Sequence, residues 1–255
     1  MHGGAYGSSL LSRQQSRFEH MTVSIWQKAH RRQQTAYDVI VVGGGIVGCS
    51  TAYWLRRQPS LRVALLEART LGAGASGRNA GFILQGTHSD YRSDMKRYGE
   101  RTARRLWAFT RANRDLLTTE LRGTAFEWRS NGSLTAAGSA EENDRLRASL
   151  SHLRAAGAAA VYLKPEQTNA RLQASGFHGG LFVTTGAVVD PLQLVRHVAG
   201  QSGADVYTQH PVGRIRWREA GAVLDTPERS FRANRVVLAL GPSLPHLVPE
   251  LVDVV

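Results

Sequence analysis

Hydrophobic and polar positions are spread unevenly along the chain. From Tyr37 onward, short apolar runs alternate with longer stretches of mixed polarity. Asp38 to Val42 reads DVIVV and Arg62 to Glu67 reads RVALLE. Apolar character on every position of so short a run suits strands buried on both faces, as in a parallel sheet. Between them, Cys49 to Gln58 predicts a helix stopped by Pro59. Further on, Met95, Leu106, Trp107, Thr110, Leu117 and Leu121 fall at helical spacing and predict helices between Asp90 and Leu121 with an Arg-rich outer face. Phe126 to Ser130 and Ser133 to Ala136 flank Asn131-Gly132, which predicts a β-hairpin. Ser139 and Glu142 form a capping box for a helix that runs to about Ala156 and stops at Gly157.

The last hundred residues carry shorter elements. Leu181 to Thr184 is a short strand, and Asp190-Pro191 is an N-cap followed by proline, opening a helix that ends near Gly200. Val212 to Trp217, Ala222 to Asp225 and Phe231 to Ala233 predict a small antiparallel meander. Val236 to Leu240 is a separate buried strand closed by Gly241-Pro242. Residues 1–36 are rich in Gly, Ser, Gln, Arg and His and lack hydrophobic periodicity, so they read as a disordered basic leader, with Met21 an alternative start. The apolar core of a secretory signal is missing from it.

The chemistry lies between the first two strands. Gly43-x-Gly45-x-x-Gly48 follows the first strand and opens the helix, and the second strand ends in an acid, Glu67. Three spaced glycines alone are weak evidence in a chain with 26 of them; the strand, helix and acid around them carry the argument. Gly43 permits a tight turn, Gly45 lets a pyrophosphate approach the backbone, and Gly48 lets helix and strand pack closely. The helix N-terminus offers free N–H groups to phosphate. Glu67 can accept from both ribose hydroxyls. The same glycines have the spacing of a phosphate-binding P-loop, but Cys49 stands where its lysine must be. Gly74 to Arg78 resembles a nucleophile elbow without its final glycine or its leading strand.

After Glu67 the chain enters Gly72-Ala-Gly-Ala-Ser-Gly-Arg-Asn-Ala-Gly81, a stretch with almost no side-chain bulk, so its backbone can pass close to a large planar ligand. Ser76 and Asn79 can hydrogen-bond such a ligand and Arg78 can neutralise phosphate. The fold predicted is α/β, a Rossmann-like FAD-binding domain with a parallel sheet and small antiparallel meander.

Composition narrows the alternatives. Cys49 is the only cysteine, so an internal disulfide is excluded, a cysteine metal site is not expected, and a reducing cytoplasm fits. No apolar run has the length of a membrane span. His88, His152, His178, His197, His210 and His246 lack metal-ligand spacing, so no metal is expected. The net charge of +12 comes almost wholly from arginine. Those residues are dispersed, and Arg101, Arg104, Arg105, Arg111 and Arg114 fall around more than one helix face, which suits solvated surfaces better than a nucleic-acid interface.

Val41 to Gly48, Leu65 to Glu67 and Gly74 to Gly81 together resemble the FAD-dependent D-amino-acid oxidase superfamily. The Ala-Ser-Gly-Arg-Asn form is most similar to its γ-glutamylputrescine oxidase and bacterial amine oxidase branch. The resemblance extends at lower specificity through Val189-Asp-Pro191 and Pro211-Val212 to Val236–Gly241, although Pro242-Ser243 departs from the usual continuation. It implies that FAD lies with its pyrophosphate at Gly43, Gly45, Ile46, Val47 and Gly48 and its ribose at Glu67. Ala68, Arg69, Ser76, Gly77 and Arg78 would line the cofactor, Asn79, Ala80 and Gly81 would approach the isoalloxazine, Val212 would meet adenine, and Ala239 and Gly241 would lie beneath the flavin. Cys49 sits in the first helix, so the FAD is expected to be noncovalent.

The resemblance further implies oxidation of the C–N bond of a small-molecule amine or amino acid by hydride transfer to flavin N5; no acid or base of this chain is singled out as catalytic. It implies, beside the FAD-binding domain, part of an α+β substrate domain, with segments 37–88 and 179–247 for the cofactor, 89–178 for the substrate and 248–255 a truncated end, since relatives continue well past the strand at Val236–Leu240. The chain is therefore expected to be a fragment, or to need a second polypeptide, with the Leu181 strand and the Asn131-Gly132 hairpin left without sheet partners. Two other readings stay open: a non-catalytic FAD-binding subunit, and the flavin domain of an RNA-modifying enzyme.

Overall fold

The computed structural model describes residues 35–87, 89–121 and 128–254. The leader up to residue 34, His88, and Phe126 and Glu127 of the expected hairpin lie outside the described residues. Residues 37–255 form one compact unit.

Its centre is a six-stranded sheet. β1 (Ala36–Val42) and β2 (Val63–Leu66) pair in parallel, Val39 opposite Val63 and Val42 opposite Leu66. β9 (Asp205–Tyr207) adds in parallel beside β2, an element the sequence reading lacks. β10 (Arg214–Arg218), β11 (Gly221–Asp225) and β12 (Ser230–Leu238) form the antiparallel meander, and the order across the sheet is β10-β11-β12-β1-β2-β9. The expected third meander strand and the strand at Val236 are one continuous element, because the polar Asn234-Arg235 between them stays in the ladder. Alternate residues of β1 and β2 feed two cores. Ile40, Val42, Ala64 and Leu66 pack with Leu224 and Phe231 of the meander. Val39, Val41, Val63 and Leu65 pack against two helices, α1 (Ile46–Leu55) and α6 (Pro191–Gln201), through Cys49, Ala52, Val195 and Ala199. Cover on both faces explains why neither strand alternates with polar residues.

Helix α1 begins three residues before the expected Cys49 and ends at Leu55, three before Gln58. Gly48 lies inside the helix because a Cβ there would come 1.9 Å from the Gly43 carbonyl oxygen; close packing, not helix breaking, selects glycine. Helix α6 follows expectation. The Asp190 carboxylate accepts from the Leu192 and Gln193 amides at 2.9 and 3.0 Å, and Pro191 takes the first turn.

The second region begins with β3 (Phe82–Ile83), then α2 (Tyr91–Tyr98) and α3 (Glu100–Glu120). Buried Asp94 accepts from Thr87 Oγ1 at 2.8 Å and from Trp107 Nε1 at 2.8 Å, which ties the start of this region to α3. β4 (Trp128–Arg129) and β5 (Ser133–Ala136) follow, then α4 (Ala140–Ala155), β6 (Ala160–Leu163), α5 (Pro165–Leu172), β7 (Gly180–Val183) and β8 (Ala187–Val189). The Ser139 hydroxyl caps α4 through the Glu142 amide at 3.2 Å, while the Glu142 carboxylate accepts from Gly138 N at 2.8 Å, one residue earlier than the expected box.

The expected hairpin is overturned. β4 pairs with β8 in the sheet β3-β8-β4, whereas β5 pairs with β7 in the sheet β5-β7-β6. The Asn131-Gly132 joint thus passes the chain from one sheet to the next. Thr184 to Gly186 does the same in the return direction, and Gly132 N donates to the Gly186 carbonyl at 2.9 Å. The strand at Leu181, expected to lack partners, is the centre of its sheet, with β5 on one side and β6 on the other. β7 therefore packs with the helical region, through the core of Tyr91, Trp107, Leu146, Leu153 and Leu181.

At the sheet junction Gly132 has φ +78°, and a Cβ there would lie 2.4 Å from the Phe182 ring. Gly132→Ala is expected to cost roughly 2–3 kcal/mol from positive φ and overpacking together, read as a lower denaturant midpoint. Asp190→Ala is expected to lower stability at neutral pH through loss of the cap, read as a lower denaturant midpoint. The Gln193 amide, with help from Leu192, holds the Asp190 carboxyl below its usual range. The cap is therefore complete above about pH 4 and is lost as pH falls through the lowered folded value, so the stability gap between wild type and Asp190→Ala closes on acidification.

Candidate functional site

The carboxyl ends of β1 and β2 open into a crevice, the usual place for a ligand in a sheet of this kind. Gly43 leaves β1 with φ +112°, and a Cβ there would come 2.4 Å from the Ala239 carbonyl oxygen. Ala239 is held beside the end of β1 by its amide, which donates to the Val42 carbonyl at 2.8 Å. Gly45 is the N-cap of α1 and has no side chain to satisfy the first amides, and no acid stands in the first turn. Apart from Ile46 N, which a neighbouring hydroxyl takes, the helix N-terminus is thus left available to an anion. A Cβ on Gly45 would meet only Ser76 Oγ, at 3.0 Å; what glycine protects here is open space above the turn.

Glu67 leaves β2 beside the same turn. Its Oε2 accepts from Gly44 N at 2.6 Å and its Oε1 from Arg69 N at 2.8 Å, which fixes the carboxylate beside the turn. Gly44 belongs to the site but was not singled out from sequence. A Cβ there would come 2.9 Å from Glu67 Cβ and Cγ, so the second glycine of the Gly43-Gly44-Gly45 run makes room for the acid. That run was the available sign.

The small-residue loop closes one wall. Gly72 N donates to the Gly44 carbonyl at 2.9 Å, and Ser76 Oγ accepts from Ile46 N at 2.9 Å at the helix N-terminus. Ala75–Gly77 is a single 3-10 turn, and a Cβ on Gly77 would lie 2.4 Å from the Gly72 carbonyl oxygen. Arg78 and Asn79 are exposed and bond back to their own loop: Arg78 Nε donates to the Gly74 carbonyl at 3.2 Å, and Asn79 donates to the Ser76 carbonyl and accepts from Gly81 N at 2.9 and 2.8 Å. A cavity of about 160 Å³ lies between this loop and α6, lined by Ile46, Ser76, Asn79, Gly81 and Leu194 among others.

The crevice therefore brings together Gly43, Gly45, Ile46, Gly48, Glu67, Arg69, Ser76, Gly77 and Ala239. Val212 is placed near it through the preceding residues, Gln209 N donating to the Arg69 carbonyl and His210 N to the Glu67 carbonyl, each at 2.9 Å; its side chain packs on the meander core. Val47, Ala68 and Ala80 are exposed around the rim. Gly241 follows β12 with φ +52° and no neighbour close to a would-be Cβ. Cys49 is fully buried, and burial, aided by the nearby Glu67 charge, pushes its thiol up to about 12.

Two of the arginines weighed as nucleic-acid contacts are engaged within the protein, Arg111 Nη1 donating to the Gly157 carbonyl at 3.0 Å and Arg114 Nη1 to that of Thr185 at 3.2 Å. Among the described residues, no helix is long and apolar enough to cross a membrane, and no group of three or more His, Cys, Asp or Glu could hold a metal.

Residues 38–255 match the family model described as FAD dependent oxidoreductase. The glycine oxidase of Geobacillus kaustophilus is 29% identical over 214 residues, which cover 80% of this chain and 54% of that protein. The γ-glutamylputrescine oxidoreductase of Escherichia coli is 45% identical over 69 residues, 27% of this chain and 16% of that protein. The crystal structure of the G. kaustophilus glycine oxidase superposes with a TM-score of 0.69 at 26% identity, covering 86% of this chain and 59% of that one. The chain spans about half the length of the glycine oxidase it matches. With the family match running through the glycine turn, the small-residue loop and the end of β12, the chain belongs to the FAD-dependent oxidoreductase family, and FAD is its cofactor.

Proposed function

We propose that this chain serves an oxidoreductase that oxidises the C–N bond of a small-molecule amine or amino acid, with FAD held noncovalently. FAD held there would supply the hydride acceptor for the carbon beside the nitrogen, and the resulting imine would be hydrolysed by water. The single observation that supports this most is the placement of Glu67 beside a helix N-terminus whose N-cap is a glycine. The names of the relatives, glycine oxidase and γ-glutamylputrescine oxidoreductase, supply the substrate class.

The chain's own residues do four things in this reading. Gly43, Gly45 and Gly48 keep the turn bare, so that the first amides of α1 reach the diphosphate. The Glu67 carboxylate, already oriented by two backbone amides, accepts from the adjoining ribose. Arg69 and Val212 flank the adenosine end. The loop from Ser76 to Gly81, held in shape by Arg78 and Asn79 bonding to its own carbonyls, leaves its backbone to pack on the flavin. Residues 37–88 and 179–247 thus serve the cofactor, apart from β7, and residues 89–178 face the substrate. The buried Cys49 thiol is no candidate for a covalent link to flavin.

The purified chain, supplied with FAD, is expected to show a bound flavin spectrum after gel filtration; a colourless protein that takes up no FAD removes the proposal. Gly45→Ala is expected to keep the fold, since only Ser76 stands near the new methyl, but to weaken FAD binding by about tenfold or more, as the methyl occupies the diphosphate approach. Glu67→Gln replaces a charged acceptor with a neutral one, and an FAD affinity about tenfold lower is expected. Both are measured by titrating apoprotein with FAD and following flavin fluorescence.

A further inference from the structure

A separate cavity, of about 450 Å³, opens where α1, α3 and α6 meet, a size suited to a small organic molecule. Its walls include Tyr53 and Trp54 of α1, Leu116 and Glu120 of α3, and Val198 and Gln201 of α6. These six lie in the last two turns of their helices. The cavity shares no residue with the cofactor crevice, and along α1 about 12 Å separates Tyr53 from Gly45.

A helix carries partial negative charge at its C-terminal end, which a basic side chain in the last turn offsets. This arginine-rich chain does so with Lys96 and Arg97 in α2, His152 and Arg154 in α4 and Arg171 in α5. The last turns of α1, α3 and α6 hold no basic residue. Three negative helix ends therefore border one cavity, and the Glu120 carboxylate adds to them. Among the described residues no Lys or Arg stands on the wall, where His197 is the basic group. Glu120 Oε2 accepts from the Tyr53 hydroxyl and, at 3.0 Å, from Arg57 Nη2; no described residue bonds its Oε1. Arg57 is not a wall residue, yet its guanidinium carbon lies 4.5 Å from the centre of the Tyr53 ring and 4.8 Å from that of Trp54. An acid and two rings that line the cavity thus already hold one cation together. That ion pair is half exposed and correspondingly weak.

We propose that this cavity binds a small organic ammonium ion, with its nitrogen by Glu120 and the helix ends and its apolar body against Trp54, Leu116 and Val198. Trp54 is 47% exposed and Leu116 39%, so both offer apolar surface to an occupant. Charge sets the sign of the ligand, since a cation is attracted by all three helix ends, the carboxylate and the ring faces, and an anion by none of them. The site stands apart from the cofactor crevice and does not rest on the FAD reading. An occupant would bridge α1, whose first turn lines that crevice, to α3 of the second region.

The test is calorimetric titration of the full chain at pH 7, with FAD under anaerobic conditions and again without it. Two probes of like shape are used, phenethylamine, which is protonated at that pH, and the neutral 2-phenylethanol. Phenethylamine is expected to bind about tenfold tighter than the alcohol in both titrations. Glu120→Gln should weaken phenethylamine about tenfold, Trp54→Ala about threefold, and Leu116→Arg, which sets a cation on the wall at an exposed position, should abolish its binding. The visible flavin spectrum of the loaded chain should be the same in all three variants. Equal affinity for the two probes overturns the assignment, as does phenethylamine binding within twofold of wild type in Glu120→Gln. Binding of the amine that appears only when FAD is present also overturns it, because that places the amine at the cofactor. A chain that takes up no FAD yet prefers phenethylamine removes the flavin reading and upholds this site.

Discussion

The architecture depends on three chain segments approaching more closely than side chains allow. The end of β1, the start of α1 and the residues after β12 meet at Gly43, Gly48 and Ala239, where an added Cβ would stand 1.9 to 2.4 Å from a carbonyl oxygen. That contact sets the angle at which α1 leaves the sheet and places Cys49 and Ala52 against Val39 and Val41. It also dictates the chemistry. A helix that must start on glycine has no capping side chain of its own; Ser76 takes the Ile46 amide, and the rest of its first turn faces whatever anion the crevice admits. Packing and ligand binding are here one constraint.

Much of this was legible from sequence because each part has a local cause. The runs DVIVV and RVALLE are apolar throughout since both faces of β1 and β2 are covered, and Glu67 could be assigned by its place at the end of β2. The boundaries of α1 were not legible. Gly48 looks like a residue before a helix, and only the 1.9 Å approach to Gly43 shows why it is inside one. Gly44 escaped notice for the same reason, since its role is to make room for an acid 23 positions away in sequence. In the loop, Ser76 does face the turn, but Arg78 and Asn79 spend their polar atoms on neighbouring carbonyls. Residue type indicated that such groups can bond; only the fold decides to what.

The Asn131-Gly132 joint shows the opposite limit. Its local chemistry is that of a two-residue hairpin, and Gly132 does adopt positive φ. Its flanking strands nevertheless diverge, because each pairs elsewhere: β5 has four paired residues with β7, and β4 pairs with β8. Gly186 completes the crossover, since a Cβ there would sit 2.8 Å from the Gly132 backbone. Two glycines distant in sequence, one without positive φ, have to coincide for the sheets to separate at this point. No window of the sequence contains both.

This crossover also determines how the cofactor region is joined to the rest. β8 enters from the crossover at Gly186, pairs with β3 on one side and β4 on the other, and leaves through Asp190 into α6. β3 arrives from the small-residue loop through Gly81, whose φ of +70° and 1.9 Å approach of a would-be Cβ to the Val189 carbonyl oxygen admit no other residue. One short strand is therefore bonded to the end of the cofactor loop and continuous with the helix that packs on α1. A displacement of the small-residue loop would be carried into β8 and α6 together, because interiors packed this closely transmit strain rather than absorb it. The bare turn and the β3-β8-β4 sheet thus share one rigid connection, and the geometry between cofactor loop and sheet face is set by backbone hydrogen bonds rather than by side-chain contacts.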